Sequence, residues 1–254
     1  MMNADDWLYL LFFLGDKLSR PTLRNLCESS EQFERRYQAA FNRWEQQGWV
    51  NQGGKVEDFV YALTDRGRAM VAPRRDPAVE WSREWDGSWR MLLFDLPSSE
   101  TSLRMMLWRW LRGHQFGYLQ NSVWVFPHSV SHLIRSLEWF RDNPEQFVLA
   151  ESKTLFGASP ASIVLGSWHW EEINHRYADY LEEVDSYESG IARDRTLEQL
   201  IELVALEREA YDIALAMDPL LPKSLIPSRY LGQRAHARRA AYRKKLSKAI
   251  LSKR

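Results

Sequence analysis

The chain has 254 residues, of which 45% are hydrophobic and 27% are charged, and its 34 basic side chains balance its 34 acidic ones. This composition is that of an ordinary globular protein, and a net charge of zero indicates no particular class of partner. The length allows one large domain or two to three smaller ones.

The charges are segregated along the chain. Residues 171–212 contain thirteen acidic and four basic side chains, whereas residues 229–254 contain ten basic side chains and no acidic one. Such a basic tail is either a solvated terminal helix or a segment that binds an anion or an acidic surface. In the second case it can pack against the acidic helices, within one chain or between two protomers.

The N-terminal sequence predicts a cytoplasmic protein without a membrane segment. The run Trp7–Leu14 is apolar but only eight residues long, and it follows Asp5 and Asp6, so it is neither a signal peptide nor a membrane span. Cys27 is the single cysteine, which excludes an internal disulfide framework and fits a reducing cytoplasm. We expect Cys27 to be a buried thiol.

Residues 1–76 have the pattern of a winged helix-turn-helix domain. The run Trp7–Leu14 predicts a buried first helix, and Pro21 opens a short second helix. A third helix is predicted from Ser29 to about Gln47, because it starts with the spacing of a capping box and is followed by a glycine. Its apolar side chains recur at helical spacing on one face: Phe33, Tyr37, Ala40, Phe41 and Trp44.

A two-stranded ribbon is predicted after the third helix. Trp49–Val50 and Phe59–Leu63 are the two strands, the turn between them contains Lys55, and Thr64 caps a closing helix. Three helices followed by such a ribbon are typical of the winged helix. Its third helix is the recognition helix, which fits the major groove of DNA, about 12 Å wide.

The predicted recognition helix supplies the candidate DNA-binding residues. Arg35 and Asn42 lie opposite the apolar face, and Gln32, Arg36 and Arg43 flank them. Arginine, asparagine and glutamine bind the edges of guanine and adenine with paired hydrogen bonds, so we assign these side chains to DNA contacts. Lys55, at the tip of the ribbon, is assigned to phosphate.

Two alternatives remain open for this domain. The same polar side chains also suit a solvated helix face, and a winged helix can contact another protein instead of DNA. Residues 1–80 carry eleven basic and twelve acidic side chains, so any attraction to DNA is local rather than a property of the whole domain.

Residues 81–160 are predicted to form a ferredoxin-like domain, after a linker at 72–78 rich in proline and charge. The predicted elements are a strand at 89–97 stopped by a proline, a helix at 102–114, strands at 116–119 and 123–126, a helix at 131–140 and a strand at 147–150. The order β-α-β-β-α-β is the ferredoxin-like arrangement.

Residues 161–254 are predicted to form a helical domain. Glu171–Val184 and Leu197–Met217 are amphipathic, and the basic tail follows Pro227. The predicted fold class is therefore α+β, with a winged helix, a ferredoxin-like domain and a helical C-terminal domain.

No pattern in the sequence predicts catalysis, a metal ion or a cofactor. No Ser-His-Asp or Cys-His arrangement has supporting spacing, and no glycine-rich phosphate loop is found. His114 and His128 lie near predicted strand ends without a third group to complete a ligand set, so we interpret them as surface or packing residues. We expect a protein that is not an enzyme.

Four segments in order along the chain resemble the PaaX-type repressor family of phenylacetate catabolism. They are Phe33–Val50 with Tyr61–Gly67, then Trp85–Pro97, then Gly117–Pro127, and the proline-rich Asp218–Gly232, in which Tyr230 stands where the family commonly has tryptophan. The resemblance implies a repressor of a catabolic operon that is released by an acyl-CoA thioester of an aromatic acid. The partner is double-stranded DNA, and a homodimer matches an inverted-repeat operator.

The middle domain also resembles the ferredoxin-like, nuclease-related subunit of CRISPR adaptation, in which an aspartate ends the first strand. Asp95 occupies that place. The alternative function is therefore a metal-dependent nuclease in which two Asp95 carboxylates face each other across a dimer and hold a divalent cation. A hydrogen-bonded turn residue is the simpler interpretation.

The effector is expected to bind behind the winged helix, between the middle domain and the C-terminal helices. Basic residues at 229–245 would bind its phosphates, and Trp168, Trp170 and Tyr177 would surround its acyl group. The alternative is that these aromatic residues are core and the tail is solvated. The sequence identifies neither the operator, the effector nor the operon, and it does not distinguish repression from activation.

Overall fold

The computed structural model describes residues 4–15, 17–19, 30–52, 59–72, 75–97, 99–130, 138–142, 144–155, 157–191 and 195–253. The chain forms two compact units. The first consists of 1–74, 178–213 and 233–254, and the second of 75–177 and 214–232. Both units combine distant parts of the sequence, so the predicted division at 1–76, 81–160 and 161–254 stays a prediction. Among the helices described, none is both long and apolar enough to span a bilayer.

The N-terminal part of the first unit alternates helices and short strands. Its elements are α1 (Ala4–Phe13), β1 (Lys17–Ser19), α2 (Ser30–Gln46), β2 (Val50–Gln52), β3 (Phe59–Leu63) and α3 (Asp65–Val71). The strands form an antiparallel sheet in the order β1-β3-β2. The ribbon of β2 and β3 agrees with the sequence prediction, whereas β1 was not predicted.

Part of the winged-helix prediction lies outside the described residues. The second helix after Pro21, Cys27 and the ribbon turn with Lys55 all belong to ranges that the structure does not describe. The winged-helix assignment therefore stays a prediction, supported by the observed helix and antiparallel ribbon.

The end of α2 is closed by a glycine motif. Gly48 has a φ of +68°, and its N–H donates to Glu45 O at 2.9 Å, while Trp49 N–H donates to Trp44 O at 2.7 Å. This hydrogen-bond pair is the Schellman motif, and glycine adopts its left-handed conformation without steric cost. The predicted end of the helix is confirmed.

The cap of α3 ties this helix to the end of α2. As predicted, Thr64 is the N-cap, and its Oγ1 accepts from Gly67 N at 3.0 Å. The same hydroxyl donates to Gly48 O at 2.5 Å. A Cβ on Gly67 would lie 1.9 Å from Trp49 O, so only glycine permits this close approach.

Three long helices contribute to the first unit: α8 (Trp170–Ile191), α9 (Leu197–Leu215) and α10 (Gly232–Ser252). The boundary between the units falls after Tyr177 in α8 and after Ile213 in α9. The predicted end of α8 at Val184 was wrong, because the helix continues for about two turns. The basic tail forms α10.

The second unit is built on a four-stranded antiparallel sheet. In chain order its elements are α4 (Pro77–Ser82), β4 (Trp89–Phe94), α5 (Thr101–Gly113), β5 (Gly117–Gln120), β6 (Val123–Phe126), α6 (Glu138–Asp142), β7 (Phe147–Ser152) and α7 (Pro160–Ser167). The strand order is β5-β6-β4-β7. From β4 to β7 the elements follow the predicted order. The ferredoxin-like assignment stays a prediction, because residues 131–137 of its second helix lie outside the described ranges.

One core cluster of the second unit is dominated by aromatic and aliphatic side chains. Its buried members are Leu92, Phe94, Leu96, Leu107, Leu111, Phe116, Trp124, Val130 and Phe147. Burying each such side chain contributes roughly 1.5–3 kcal/mol.

Arg90, a buried residue near the start of β4, forms hydrogen bonds to three neighbouring segments. Its guanidinium donates to Asp86 Oδ1 at 2.9 Å and Oδ2 at 2.5 Å, to Glu151 Oε1 at 3.0 Å and to Pro127 O at 3.0 Å. These bonds fix the turn before β4, and the hydrogen bond from Arg90 lowers the pKa of Asp86 to about 2.

Candidate nucleic-acid interface and ligand pocket

The first candidate site is the exposed face of α2. Arg35, Asn42 and Arg43 are all exposed on this helix. Arg35 and Asn42 are two turns apart on the same face, about 10 Å along the axis, which corresponds to about three base-pair steps of DNA. The helix therefore presents hydrogen-bonding side chains over the length of a short half-site.

The structure describes the remaining predicted DNA contacts only in part. Gln32 and Arg36 lie on α2, but their side chains are outside what the structure describes, as is the whole of Lys55. Strand β2 exposes two further amide side chains, Asn51 and Gln52. These two amides were not predicted as DNA contacts, although they follow the predicted recognition helix closely in the sequence.

Aromatic contacts fix the orientation of α2. Trp44 is fully buried, and the Phe41 and Tyr61 rings lie 3.9 Å apart between centroids. Tyr37 packs on Trp7 at 5.3 Å. Because Tyr61 belongs to β3 and Trp7 to α1, the helix is held from both elements, and its polar face is left exposed.

A buried ionic network joins α1 to the C-terminal helices of the first unit. Glu207, fully buried on α9, accepts from Arg239 Nε at 2.8 Å and from Tyr180 OH at 2.9 Å. Arg239 lies 3.9 Å from the centroid of the Tyr211 ring and donates to Tyr9 OH at 3.4 Å. Tyr9 is part of α1, so this network holds the base of the predicted DNA-binding domain.

The network shifts the pKa of its members. Burial raises the pKa of Tyr9 and of Tyr180, which keeps both phenols protonated. Tyr180 is a hydrogen-bond donor in this network, whereas Tyr9 accepts from Arg239. Burial opposes the charge of Arg239, but the carboxylate of Glu207 outweighs it and raises the pKa of the guanidinium. The guanidinium of Arg239 is therefore held in its charged form inside the unit.

The basic tail packs against acidic helices of the same chain. Arg238 on α10 donates to Asp185 at 2.7 Å and also pairs with Glu188, and Lys245 Nζ donates to Glu188 at 2.8 Å. These contacts bear out the interpretation that the tail binds an acidic surface within one chain. Arg238 and Lys245, two of the cations assigned to effector phosphates, therefore already have acidic partners.

A second buried carboxylate organises the proline-rich segment of the second unit. Asp218 Oδ2 accepts from Tyr177 OH at 2.5 Å and from Tyr230 OH, and Arg75 donates to the main-chain oxygens of Asp218 at 2.8 Å and Pro219 at 2.6 Å. Burial raises the pKa of Asp218. Tyr177 is thus a core residue, as the alternative interpretation expected.

The other two aromatic residues that were predicted to surround the effector, Trp168 and Trp170, differ in their surroundings. Trp168 lines a pocket of about 340 Å³ in the second unit, together with other aromatic side chains of α5, β5 and β6. Its Nε1 donates to Gln115 O at 3.0 Å. Trp170 instead packs its ring edge-on against Tyr230 at 5.9 Å.

Asp95, His114 and His128 each lie just beyond the end of a strand or helix. Asp95 is exposed beyond β4, and its N–H donates to Gln146 O at 2.9 Å. His114 is exposed with Nδ1 2.8 Å from Trp110 O, and burial lowers the pKa of half-buried His128. Within the described ranges, no group of three or more His, Cys, Asp or Glu side chains is placed to hold a metal ion.

Two known sequence families match the chain after residue 81. Residues 82–164 match the PaaX protein central Cas2-like domain, and residues 168–251 match the PaaX-like protein C-terminal domain. These matches define a transcriptional-repressor class of protein. The chain belongs to the PaaX-type regulator family within that class.

One curated protein and one solved structure are similar to most of this chain. The transcriptional repressor PaaX of Escherichia coli (strain K12) is 23% identical over 233 residues, which cover 87% of this chain and 72% of the relative. The solved structure of the uncharacterized protein Rv0674 from Mycobacterium tuberculosis is similar with a TM-score of 0.52 and 18% identity, over 85% of this chain and 83% of that chain. The second likeness concerns the fold alone.

Proposed function

We propose that the protein is a sequence-specific transcriptional repressor that binds an inverted-repeat operator in double-stranded DNA as a cytoplasmic homodimer. The exposed face of α2, held in place by its buried aromatic side chains, is the observation that carries this proposal. Arg35 and Asn42 contact base edges, and Gln32, Arg36 and Arg43 flank them. Lys55 contacts phosphate. Membership of a repressor family supports the same function.

The operon in this proposal is catabolic, and an aryl acyl-CoA releases the repressor. The two α2 helices of a dimer bind successive major-groove faces about 34–36 Å apart. An effector releases DNA only if it binds more tightly to a dimer in which this spacing is lost. The aromatic lining of the pocket around Trp168 supports an aromatic effector.

The test is a genomic binding selection followed by gel-shift assays on the enriched fragments. We expect fragments that share an inverted repeat and a retarded band with two protomers per duplex. No enriched sequence would contradict the proposal and favour a protein-binding role for the N-terminal domain. The same assay with magnesium tests the nuclease alternative: cleavage that Asp95→Ala abolishes would overturn the repressor assignment.

Effector release is tested separately. Phenylacetyl-CoA and related thioesters, titrated into the protein–operator complex, are expected to restore free DNA. If DNA stays bound while tryptophan fluorescence and melting temperature are unchanged, this ligand class is excluded and the DNA-binding function stands.

A further inference from the structure

Helix α1 contacts the predicted recognition helix on one side and the C-terminal helices of the first unit on the other. Trp7 of α1 packs on Tyr37 of α2, with the ring centroids 5.3 Å apart. Tyr9 of α1 accepts a hydrogen bond from Arg239 of α10. Trp7 and Tyr9 are two residues apart, which is a rotation of about 200° in an α-helix. The two contacts therefore lie on opposite sides of α1.

Arginine side chains of the C-terminal helices cover the aromatic side of α1. The guanidinium of Arg208, on α9, lies 4.2 Å from the centroid of the Tyr9 ring. Arg243, on α10, lies 5.0 Å from the centroid of the Phe13 ring and 5.6 Å from that of Phe12. It also lies 5.8 Å from the centroid of Tyr9. A cation within about 6 Å of a ring centroid is attracted to the face of the ring, so these contacts hold α1 against α9 and α10.

Arg243 differs from the other arginines around α1 in its partners. Arg239 pairs with Glu207 at 2.8 Å, and Arg208 lies 3.9 Å from Asp212. Arg243 is half-buried, and among the residues that the structure describes it has neither an ion pair nor a side-chain hydrogen bond. Its planar guanidinium, which stacks readily on aromatic faces, is therefore directed to the rings of α1 rather than to a carboxylate.

The position of α1 matters for DNA binding because α1 contacts α2. Hydrogen bonds to base edges depend steeply on distance and angle, so sequence-specific binding requires a fixed orientation of the recognition helix. Attraction to phosphates carries no sequence information and depends mainly on charge. A displacement of α1 that tilts α2 is therefore expected to weaken binding to the operator more than binding to random DNA.

We propose that Arg243 is a positioning residue for DNA recognition. By holding the aromatic side of α1, it fixes the contact between Trp7 and Tyr37 and, through this contact, the orientation of α2. Residues 1–74 and 233–254 belong to the same compact unit, which supports this role. The inference rests on the proposed function and extends it, because it makes the C-terminal helix a part of the DNA-binding unit.

The first experiment measures amide hydrogen exchange in the free, full-length chain. Arg243→Met removes the charge and keeps most of the length of the side chain, and we expect faster exchange in both α1 and α2. Arg234→Met is the matched control, because Arg234 is exposed on the same helix and has no ring contact among the described residues. Faster exchange that is confined to α1 and α10, or that is equal in the two variants, would overturn the proposal.

The second experiment compares the affinities for operator and random DNA in competition gel shifts. Arg243→Met is expected to lower the ratio of the two affinities about fivefold or more, and Arg243→Lys, which keeps a cation over the rings, should retain most of it. A purely structural role would lower the melting temperature and the active fraction for both DNAs alike. An unchanged ratio in Arg243→Met, or the same loss in Arg243→Lys, contradicts the positioning role.

Arg208→Met decides the question if Arg243→Met does not fold. The Arg208 side chain is 38% exposed, so the fold tolerates the change, and its contact with Tyr9 predicts effects on exchange and on the affinity ratio in the same direction. If neither changes, the arginines do not position α2. Hydrogen exchange requires no DNA, so a wild-type protein that prefers no sequence would refute the proposed function and leave the exchange result to decide the role of Arg243.

Discussion

Glu207 and Arg239 form a buried ion pair. Removing either side chain alone is expected to destabilise the fold. Glu207 Oε1 accepts two hydrogen bonds, while its Oε2 has no partner among the described residues, so the carboxylate depends on Arg239 for its compensation. Removing one member of such a pair leaves the other charge buried without a counter-ion.

Glu207→Ala is therefore expected to lower the free energy of unfolding by about 3–5 kcal/mol. Urea unfolding measures the change. Glu209→Ala, an exposed position on the same helix, is the matched control, with an expected change within about 0.5 kcal/mol. The double variant Glu207→Leu with Arg239→Met should recover most of the loss, because it removes both charges. A similar loss in Glu207→Ala and Glu209→Ala would contradict the role of the pair.

The low pKa of Asp86 makes a pH-dependent contribution to the second unit. The hydrogen bond from Arg90 lowers the pKa in the folded state to about 2, below the unfolded value of about 3.9. Folding therefore favours the ionised carboxylate, and the stabilisation is complete above about pH 4 and is lost as the pH falls through about 2. Thermal unfolding of Asp86→Asn should show lower stability at pH 6 and a smaller loss between pH 4 and pH 2. Glu84→Gln, an exposed neighbour, should retain the wild-type acid profile.

The sequence predicted the role of a single residue correctly where that role depends only on nearby residues in the chain. Gly48 and Thr64 were assigned correctly, because helix caps depend on neighbours in the chain. Glu207 was missed among thirteen acidic residues, although it falls on the buried stripe of α9 with Leu200, Val204 and Tyr211. An acidic residue at an apolar helical position is the signal that would have found it.

At the scale of elements, the sequence predicted which segments are helices and which are strands. It did not predict β1 or the full length of α8, because both depend on tertiary contacts. β1 has three residues, too few for an alternating pattern, and it forms because β3 offers a free edge. α8 was predicted to stop at Val184, where its apolar periodicity ends. It continues because Arg238 and Lys245 of α10 bind Asp185 and Glu188 on the extra turns.

The exposed face of α2 leads to a prediction about specificity. Arg35→Ala and Asn42→Ala are each expected to weaken binding to the cognate operator by about 1–3 kcal/mol and binding to random DNA much less, because base contacts are lost. Competition gel shifts measure the ratio of the affinity for the operator to the affinity for random DNA. Glu45→Ala, exposed on the same helix, is the control and should preserve specificity. An unchanged ratio in both variants would show that α2 does not bind base edges.

At the scale of the whole molecule, the balanced charge limits general attraction to DNA. Lys55→Ala should weaken specific and random binding alike and reduce the magnitude of the salt dependence by about one per protomer. The control is the double variant Lys244→Gln with Lys248→Gln, at two exposed positions of α10. It should leave the salt dependence of DNA binding unchanged, because this helix packs on acidic partners. Binding affinity measured at several salt concentrations distinguishes the two. A reduced slope in the tail variant would place α10 on the DNA.

The contact between Tyr9 and Arg239 joins residues 230 positions apart. During synthesis at about 5–20 residues per second, the first helix therefore waits roughly 10–50 s for its permanent neighbours to leave the ribosome. In that interval the buried apolar side chains of α1 lack the neighbours that α10 supplies in the folded chain. Nascent or prematurely terminated chains consequently lack the support that the C-terminal helix gives to α1.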